Sequence, residues 1–187
     1  MNLKKAISEF VPFNEQEIKD KEFFLKCIDS CEDVLTRNNE LFHFSASAFV
    51  INKERNKVLV VYHKIYDNWA FPGGHADGDS DLLHVALKEV KEETGLDAIP
   101  LSTKIYGIES LPTIGHIKRG KYVSAHIHLD AVFLLQADDT KPLSYRKDES
   151  KGVKWIPIEE TYNKDIVDFI RPVNKKIIQK LGINITK

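Results

Sequence analysis

The stretch Gly74-His75-Ala76-Asp77-Gly78-Asp79-Ser80-Asp81-Leu82-Leu83-His84-Val85-Ala86-Leu87-Lys88-Glu89-Val90-Lys91-Glu92-Glu93-Thr94-Gly95-Leu96 decides how the chain is read. Residues 81 to 94 have the apolar spacing of an amphipathic helix, and Gly95 stands where such a helix stops. At about 100° per residue, Glu89, Glu92 and Glu93 fall within about one third of the helix circumference. Carboxylates so placed repel one another, so an isolated helix gains nothing from them. Val85, Ala86 and Val90 occupy neighbouring positions, so the acidic stripe borders the core. Two readings are open: a solvated acidic face, or a seat for a hard divalent cation, which prefers oxygen ligands. The preceding Pro72-Gly73-Gly74-His75 suits the second, because glycine lets backbone approach a metal or a phosphate closely.

Outward from this stretch, Trp69, Ala70 and Phe71 read as a short strand ended by Pro72-Gly73-Gly74. His43 to Ile51 and Lys57 to Lys64 read as strands rich in β-branched and aromatic residues, joined by the polar turn Asn52–Asn56. Further strands are expected near 104–110, 121–136 and 152–157, and a closing helix near 172–181. Residues 14 to about 36 read as a helix: Asn14 suits the N-cap, Glu17 the capping-box position, and Phe13 with Ile18 a hydrophobic staple. It is expected as a lid or a packing appendage. Strands and helices alternate irregularly, so a mixed sheet with helices packed on it is the expected architecture.

Composition bounds the function. The 187 residues are 42% hydrophobic and 29% charged, with net charge −1, the balance of a soluble globular chain. No strongly basic field argues for nucleic acid or an anionic membrane as partner. No stretch nears the ~20 apolar residues of a membrane span, and MNLKKAISEF lacks the apolar run of a signal peptide. A cytoplasmic setting is the expectation. Cys27 and Cys31 share a helix face; without a second Cys/His pair, two buried thiols are the better reading than a zinc pair.

Gly74, Glu89, Glu92, Glu93, Gly95 and Leu96 match the signature of the Nudix hydrolases at its spacing, and the chain resembles that family over about residues 43 to 170. The resemblance implies an α+β, Nudix-like α/β/α sandwich with a mixed sheet over 41–187, preceded by an N-terminal helical extension over 1–40. It further implies hydrolysis of a diphosphate bond in a nucleoside diphosphate linked to another moiety, such as ADP-ribose or a nucleotide sugar. Mg²⁺ or Mn²⁺ is the implied cofactor, with Gly74, Glu89, Glu92 and Glu93 as metal ligands. Glu93 and Glu149 are the catalytic candidates, Glu149 as a general base from a later loop; a plain surface acid remains open for Glu149. The implied partner is a small nucleotide, and a homodimer is compatible with the family. Ser80 and Lys88 depart from the family's usual Glu and Arg, which brace the loop against the helix; Asp79 or Asp81 with Lys88 is expected to replace that brace.

Two other functions are weighed. An isoprenyl diphosphate isomerase shares this fold, but its chemistry resembles a cysteine–glutamate pair in the sheet domain, and both cysteines here precede the first strand. A non-catalytic nucleotide sensor usually loses motif glutamates, which this chain keeps.

Weaker features remain. His126, His128 and Asp130 alternate, so they share a strand face. A polar face lining the cleft, or hydrogen-bonded into the sheet, is expected over a zinc site completed by His116. His75 could reach phosphate, while His84 is expected at the surface. Lys118, Arg119 and Lys121 form a short basic run; Trp69, Phe71, Tyr62 and Tyr145 could stack a base or merely pack. Pro112, sixteen residues past Leu96, resembles a weak mark of the ADP-ribose-hydrolysing subgroup and is expected in a loop.

Overall fold

The structure, a computed structural model, describes residues 3–118, 120–147 and 150–183. Two helices come first, α1 (Leu3–Glu9) and α2 (Glu15–Ser30). The strands β1 (Phe42–Ile51), β2 (Lys57–His63), β3 (Asn68–Ala70) and β4 (Gly73–His75) lead into α3 (Leu82–Thr94). Then follow β5 (Ile99–Pro100), β6 (Gly107–Thr113), β7 (His116–Lys118), β8 (Lys121–Val123), β9 (His126–Gln136), β10 (Ser150–Pro157), a 3₁₀ turn (Ile158–Tyr162) and α4 (Ile170–Lys180).

The main sheet runs β10-β2-β1-β9-β5, with β3 on β2, β4 on β1 and β6 on β9; β7 and β8 form a separate hairpin. It is mixed: β1 and β9 pair in parallel from Phe42↔Ile127 to Ile51↔Gln136, while the other pairings are antiparallel. Both faces are covered, so β1 and β9 are apolar on one side without alternating cleanly to polar on the other. One face carries Phe44, Ala46, Ala48, Val50, Leu129, Ala131 and Phe133, packed against Val85, Ala86 and Val90 of α3. The opposite face carries Phe49, Ile51, Val132 and Leu134, packed against Val173, Ile177 and Ile178 of α4. This is the expected α+β sandwich.

Several boundaries moved. α1 has no counterpart among the expected elements; Ile7 and Phe10 anchor it in the α3-side core. α2 stops at Ser30 instead of about 36. Asp33 accounts for this, because its carboxylate accepts the Leu35 and Thr36 amides at 3.2 and 2.9 Å, a local turn that competes with further helix. Asn14 caps α2 as expected, its side chain accepting from the Glu17 amide at 3.0 Å, and Glu17 reaches back to the Phe13 amide at 2.7 Å. The staple does not close: Phe13 and Ile18 stay exposed. Gly73 to His75, read as loop, pair with β1 as a strand. Pro112 lies inside β6, opposite Ile127, and not in a loop; an edge strand tolerates it because its other side needs no donor there.

Residues 1–40 do not stand apart from the sheet. Phe24 of α2 meets Phe44 of β1 edge to face at 5.5 Å, a geometry that contributes about 0.5–1.5 kcal/mol beyond area burial. Asp20 accepts the Ser110 amide and hydroxyl at 3.0 and 2.8 Å, and Gln16 donates to the Ile108 carbonyl at 3.0 Å. α2 thus covers the β6 edge, satisfying backbone groups that would otherwise invite another chain. A buried ion network fastens it further: Lys176 of α4 meets Glu17 at 2.9 Å and also Glu109, and Lys180 meets Glu17 at 3.3 Å. Cys27 is buried and Cys31 half-buried, both as free thiols. Burial, then the neighbouring Cys31, pushes the Cys27 thiol up, away from the reactive thiolate.

Candidate active site

α3 is placed by both of its ends. Asp81 caps its start by accepting from the His84 amide at 3.3 Å. Gly95 closes it in the left-handed region at φ 75°, where a residue with Cβ is strained. Between them Leu82, Val85, Ala86 and Val90 are buried. That burial rotates Glu89 and Glu93 toward β4.

The structure brings Glu89, Glu93 and the Gly73–Gly74 strand together. Glu93 is buried, and its carboxylate accepts the Gly73 amide at 3.0 Å. The Glu89 carboxylate lies so close over Gly74 that a Cβ there would sit 2.5 Å from it. Only glycine leaves that carboxylate its place. Replacing Gly74 with Ala is therefore expected to displace Glu89 without unfolding the chain, because a flexible side chain gives way before backbone. The expected result is about 10- to 100-fold weaker divalent-metal dependence of activity at an unchanged melting temperature; an unchanged metal titration would count against the site.

Glu92 is arranged differently. It lies on the exposed flank of α3, 3.3 Å from Arg146 and 3.9 Å from Lys88. Two cations hold it, and a metal would have to compete with them. Glu149 falls outside the described residues, as does Arg119 of the basic run.

The brace of the loop before α3 is rebuilt, though not from the expected pair. Asp79 accepts from His84 Nδ1 at 2.7 Å and from the Asp81 amide at 2.8 Å, and Lys88 turns to Glu92 instead. The His84 contact, then the Asp81 amide, hold the Asp79 carboxyl below the usual range. A second brace comes from the N-terminal extension: Arg37 grips Asp77 with two parallel bonds of 2.8 Å, and the Gly78 amide donates to the Leu35 carbonyl at 3.1 Å. Asp77 sits at φ 47° and Gly78 at φ 93° to make this turn.

Beneath β4 the sheet face is polar. Asp130 is buried and accepts the Ser45 and Ser47 hydroxyls at 2.6 and 3.0 Å. Burial raises its carboxyl to about 6, against those two bonds. This is the hydrogen-bonded polar face that the alternation in β9 implied. His126 and His128 extend it, with His43 of β1 and His75 of β4 beside them. His116 takes no part; its ring donates to the Ile114 carbonyl at 2.9 Å on the exposed hairpin. Burial, followed by the surrounding imidazoles, lowers His128 to about 3, and burial lowers His43 as well. His43 had no signal in the sequence, because its neighbours arrive through a parallel pairing between strands far apart in the chain.

Of the aromatics, Phe71 is core. Trp69 packs edge-on to Tyr62 at 5.1 Å and carries Lys154 over its ring at 4.2 Å. A cavity of about 320 Å³ opens between α2, β6 and α4, lined by Asp20, Glu109, Pro112, Phe169 and Lys176 among others.

A mixed sheet between helices carries carboxylates of one helix onto a glycine strand, an all-oxygen arrangement suited to a hard cation beside a phosphate. The chain belongs to the Nudix family: residues 41–181 match the NUDIX domain. It is similar to an RNA pyrophosphohydrolase of Pelagibacter ubique, 31% identical over 71% of this chain and 86% of that one. It is also similar to Nudix hydrolase 6 of Arabidopsis thaliana, 27% identical over 76% of this chain but 51% of that longer one. A Nudix-family hydrolase from Clostridium perfringens shares the fold at TM-score 0.52 and 24% identity, covering 74% of this chain and 97% of that one. A C. elegans Ap4A hydrolase shares it at TM-score 0.54 and 17% identity, covering 74% and 97%. Among the described residues no helix is long and apolar enough to cross a membrane.

Proposed function

We propose that this chain hydrolyses a diphosphate bond in a nucleoside diphosphate linked to another moiety, using Mg²⁺ or Mn²⁺. One observation carries the reading: Glu89 and Glu93 converge on the Gly73–Gly74 strand, where backbone and carboxylate lie too close for any side chain. The donor set fits a hard cation, since Glu89, Glu92, Glu93 and the Gly74 carbonyl offer oxygen alone. When bound there, such an ion neutralises phosphate oxygens and lowers the pKa of the attacking water. The chain's own residues do the rest. Gly73 holds Glu93 in position, Arg146 and Lys88 balance Glu92, and the Asp79–His84 and Arg37–Asp77 pairs fix the loop at the site mouth. Residues 1–40 act in this reading as a brace for the catalytic domain of residues 41–187.

Glu149 is the proposed general base. Its described flanks support the role: Arg146 reaches Glu92, and β10 starts at Ser150. Glu149→Gln is expected to lower kcat at least about 100-fold with KM little changed. Wild-type kcat in that variant would return the role to α3.

The function itself is tested by a panel of dinucleoside polyphosphates, nucleotide sugars, ADP-ribose and 5′-triphosphorylated RNA with Mg²⁺ or Mn²⁺, reading released phosphate and nucleotide. Metal-dependent release from one nucleoside diphosphate derivative is expected. Release from none would favour a nucleotide sensor, and isomerisation of isopentenyl diphosphate would move the chain to the isomerase class.

A further inference from the structure

Four histidines from three strands meet at one end of the sheet. The parallel register places His43 of β1 opposite His128 of β9, and the antiparallel register places Ser45 opposite His75 of β4. His126 lies two residues before His128 on the same face. One ring nitrogen of each lies within 4.8 Å of the others, and the His126 and His128 Nε2 atoms are 3.1 Å apart. Ring centroids are 4.8–5.2 Å apart: His43 to His75 at 5.1 Å, His43 to His126 at 4.9 Å, His43 to His128 at 5.2 Å and His75 to His128 at 4.8 Å.

Backbone carbonyls fix two of the tautomers. A carbonyl only accepts, so His43 Nδ1 donates to Asn39 at 2.9 Å and His126 Nδ1 donates to Ser124 at 2.8 Å. Each Nε2 then carries a lone pair; that of His126 accepts from His128 Nε2 at 3.1 Å, while that of His43 meets no donor among the described residues. Outer-shell carbonyls orient metal-binding histidines in the same way. Among the described residues the buried His43 Nε2 atom has no hydrogen-bond partner, in a residue only 3% exposed. A buried acceptor aimed at three other imidazoles is an expensive arrangement unless something electrophilic sits among them.

We propose that His43, His75, His126 and His128 bind one transition-metal dication of the Zn²⁺ class, at a site separate from the carboxylates of α3. Zinc bound by imidazole at ~2.0–2.1 Å in a tetrahedron puts its nitrogens ~3.3 Å apart. The spacings, 3.1 Å for His126 to His128 and within 4.8 Å for all four, bracket that value, and ring rotation of the half-buried His75 and His128 would complete it. The two sites choose different ions, because four nitrogens suit Zn²⁺, Cu²⁺ or Ni²⁺ and all-oxygen sets suit Mg²⁺. An ion here ties β1, β4 and β9 together one residue from Gly74, so it stiffens the strand on which Glu89 and Glu93 close.

Tag-free full-length protein, stripped with chelator, is titrated with Zn²⁺ and separately with Co²⁺. One equivalent of Zn²⁺ per chain is expected, with a rise in melting temperature. Co²⁺ should give the intense visible bands of tetrahedral nitrogen ligation without thiolate charge-transfer bands. The Glu89→Gln/Glu92→Gln/Glu93→Gln variant should bind Zn²⁺ as wild type does, even though it is inactive. His43→Gln/His126→Gln should bind at least about 10-fold more weakly. No Zn²⁺ on wild type, six-coordinate Co²⁺ spectra, or loss of Zn²⁺ with the carboxylates would overturn the proposal. Should the double variant not fold, the half-buried His128→Gln and the wild-type Co²⁺ spectrum decide.

Discussion

Glu93→Gln is expected to reduce kcat at least about 100-fold at saturating Mg²⁺, equal to a loss of about 2.7 kcal/mol of transition-state stabilisation. The substitution is informative because it changes so little else. Glutamine has nearly the shape of glutamate, and its amide oxygen can still accept the Gly73 amide now held at 3.0 Å. Strand β4 should therefore keep its pairing with β1, and the melting temperature should stay within a few degrees. What disappears is a negative charge buried to 4% exposure beside Gly73, where low solvent access makes charge count most. Wild-type turnover in a folded Glu93→Gln protein would sink the proposed mechanism. A large loss here beside a small one in Glu149→Gln would place the base on α3; large losses in both would divide metal binding from proton transfer.

Lys176→Met is expected to destabilise the fold by about 3–5 kcal/mol, read as a fall in melting temperature of roughly 6–20 °C. Lys176 is 4% exposed and meets Glu17, Glu109 and the Gln16 side chain. Methionine fills much of the volume but leaves two buried carboxylates facing each other, of which Lys180 pairs with Glu17. The pH dependence follows from Glu109. Burial raises its carboxyl to about 7, although Lys176 pulls it down. The unfolded group titrates near 4.5, so the folded state holds the proton more tightly. Its contribution to stability is fully present below about 4.5 and is lost as pH rises through about 7. In Lys176→Met the counter-cation is gone, so the deficit against wild type should be larger at pH 8 than at pH 5. A deficit under about 1 kcal/mol at both pH values would mean that the network does not fasten α2 to the sheet.

Much of the candidate site's local geometry was legible beforehand, since its signals are local. Spacing along one helix aligns Glu89 with Glu93, and Gly95 marks its end; that Asp81 caps its start and that a carboxylate occupies the space of a Cβ at Gly74 came only with the structure. The brace was only half legible. Ser80 and Lys88 showed that something had replaced it, but the replacements pair His84 across one turn and Arg37 across forty residues. Glu92 read the same as its neighbours, because helical phase does not reveal that Arg146 arrives from 54 residues away.

By itself, the sequence determined the helix with its acidic stripe, the first three strands before it, the mixed-sheet class and the family. The helix, the strands and the sheet class follow from periodicity and from residue types a few positions apart, and the family from the resemblance carried by Gly74, Glu89, Glu92, Glu93, Gly95 and Leu96. Only the tertiary structure decided that the N-terminal extension covers the β6 edge and props the loop, that Gly73 to His75 is a strand, and that His43 and His75 join His126 and His128. The reason is physical: the parallel β1–β9 pairing joins segments some 85 residues apart, and no local preference records which side chains such a register sets face to face.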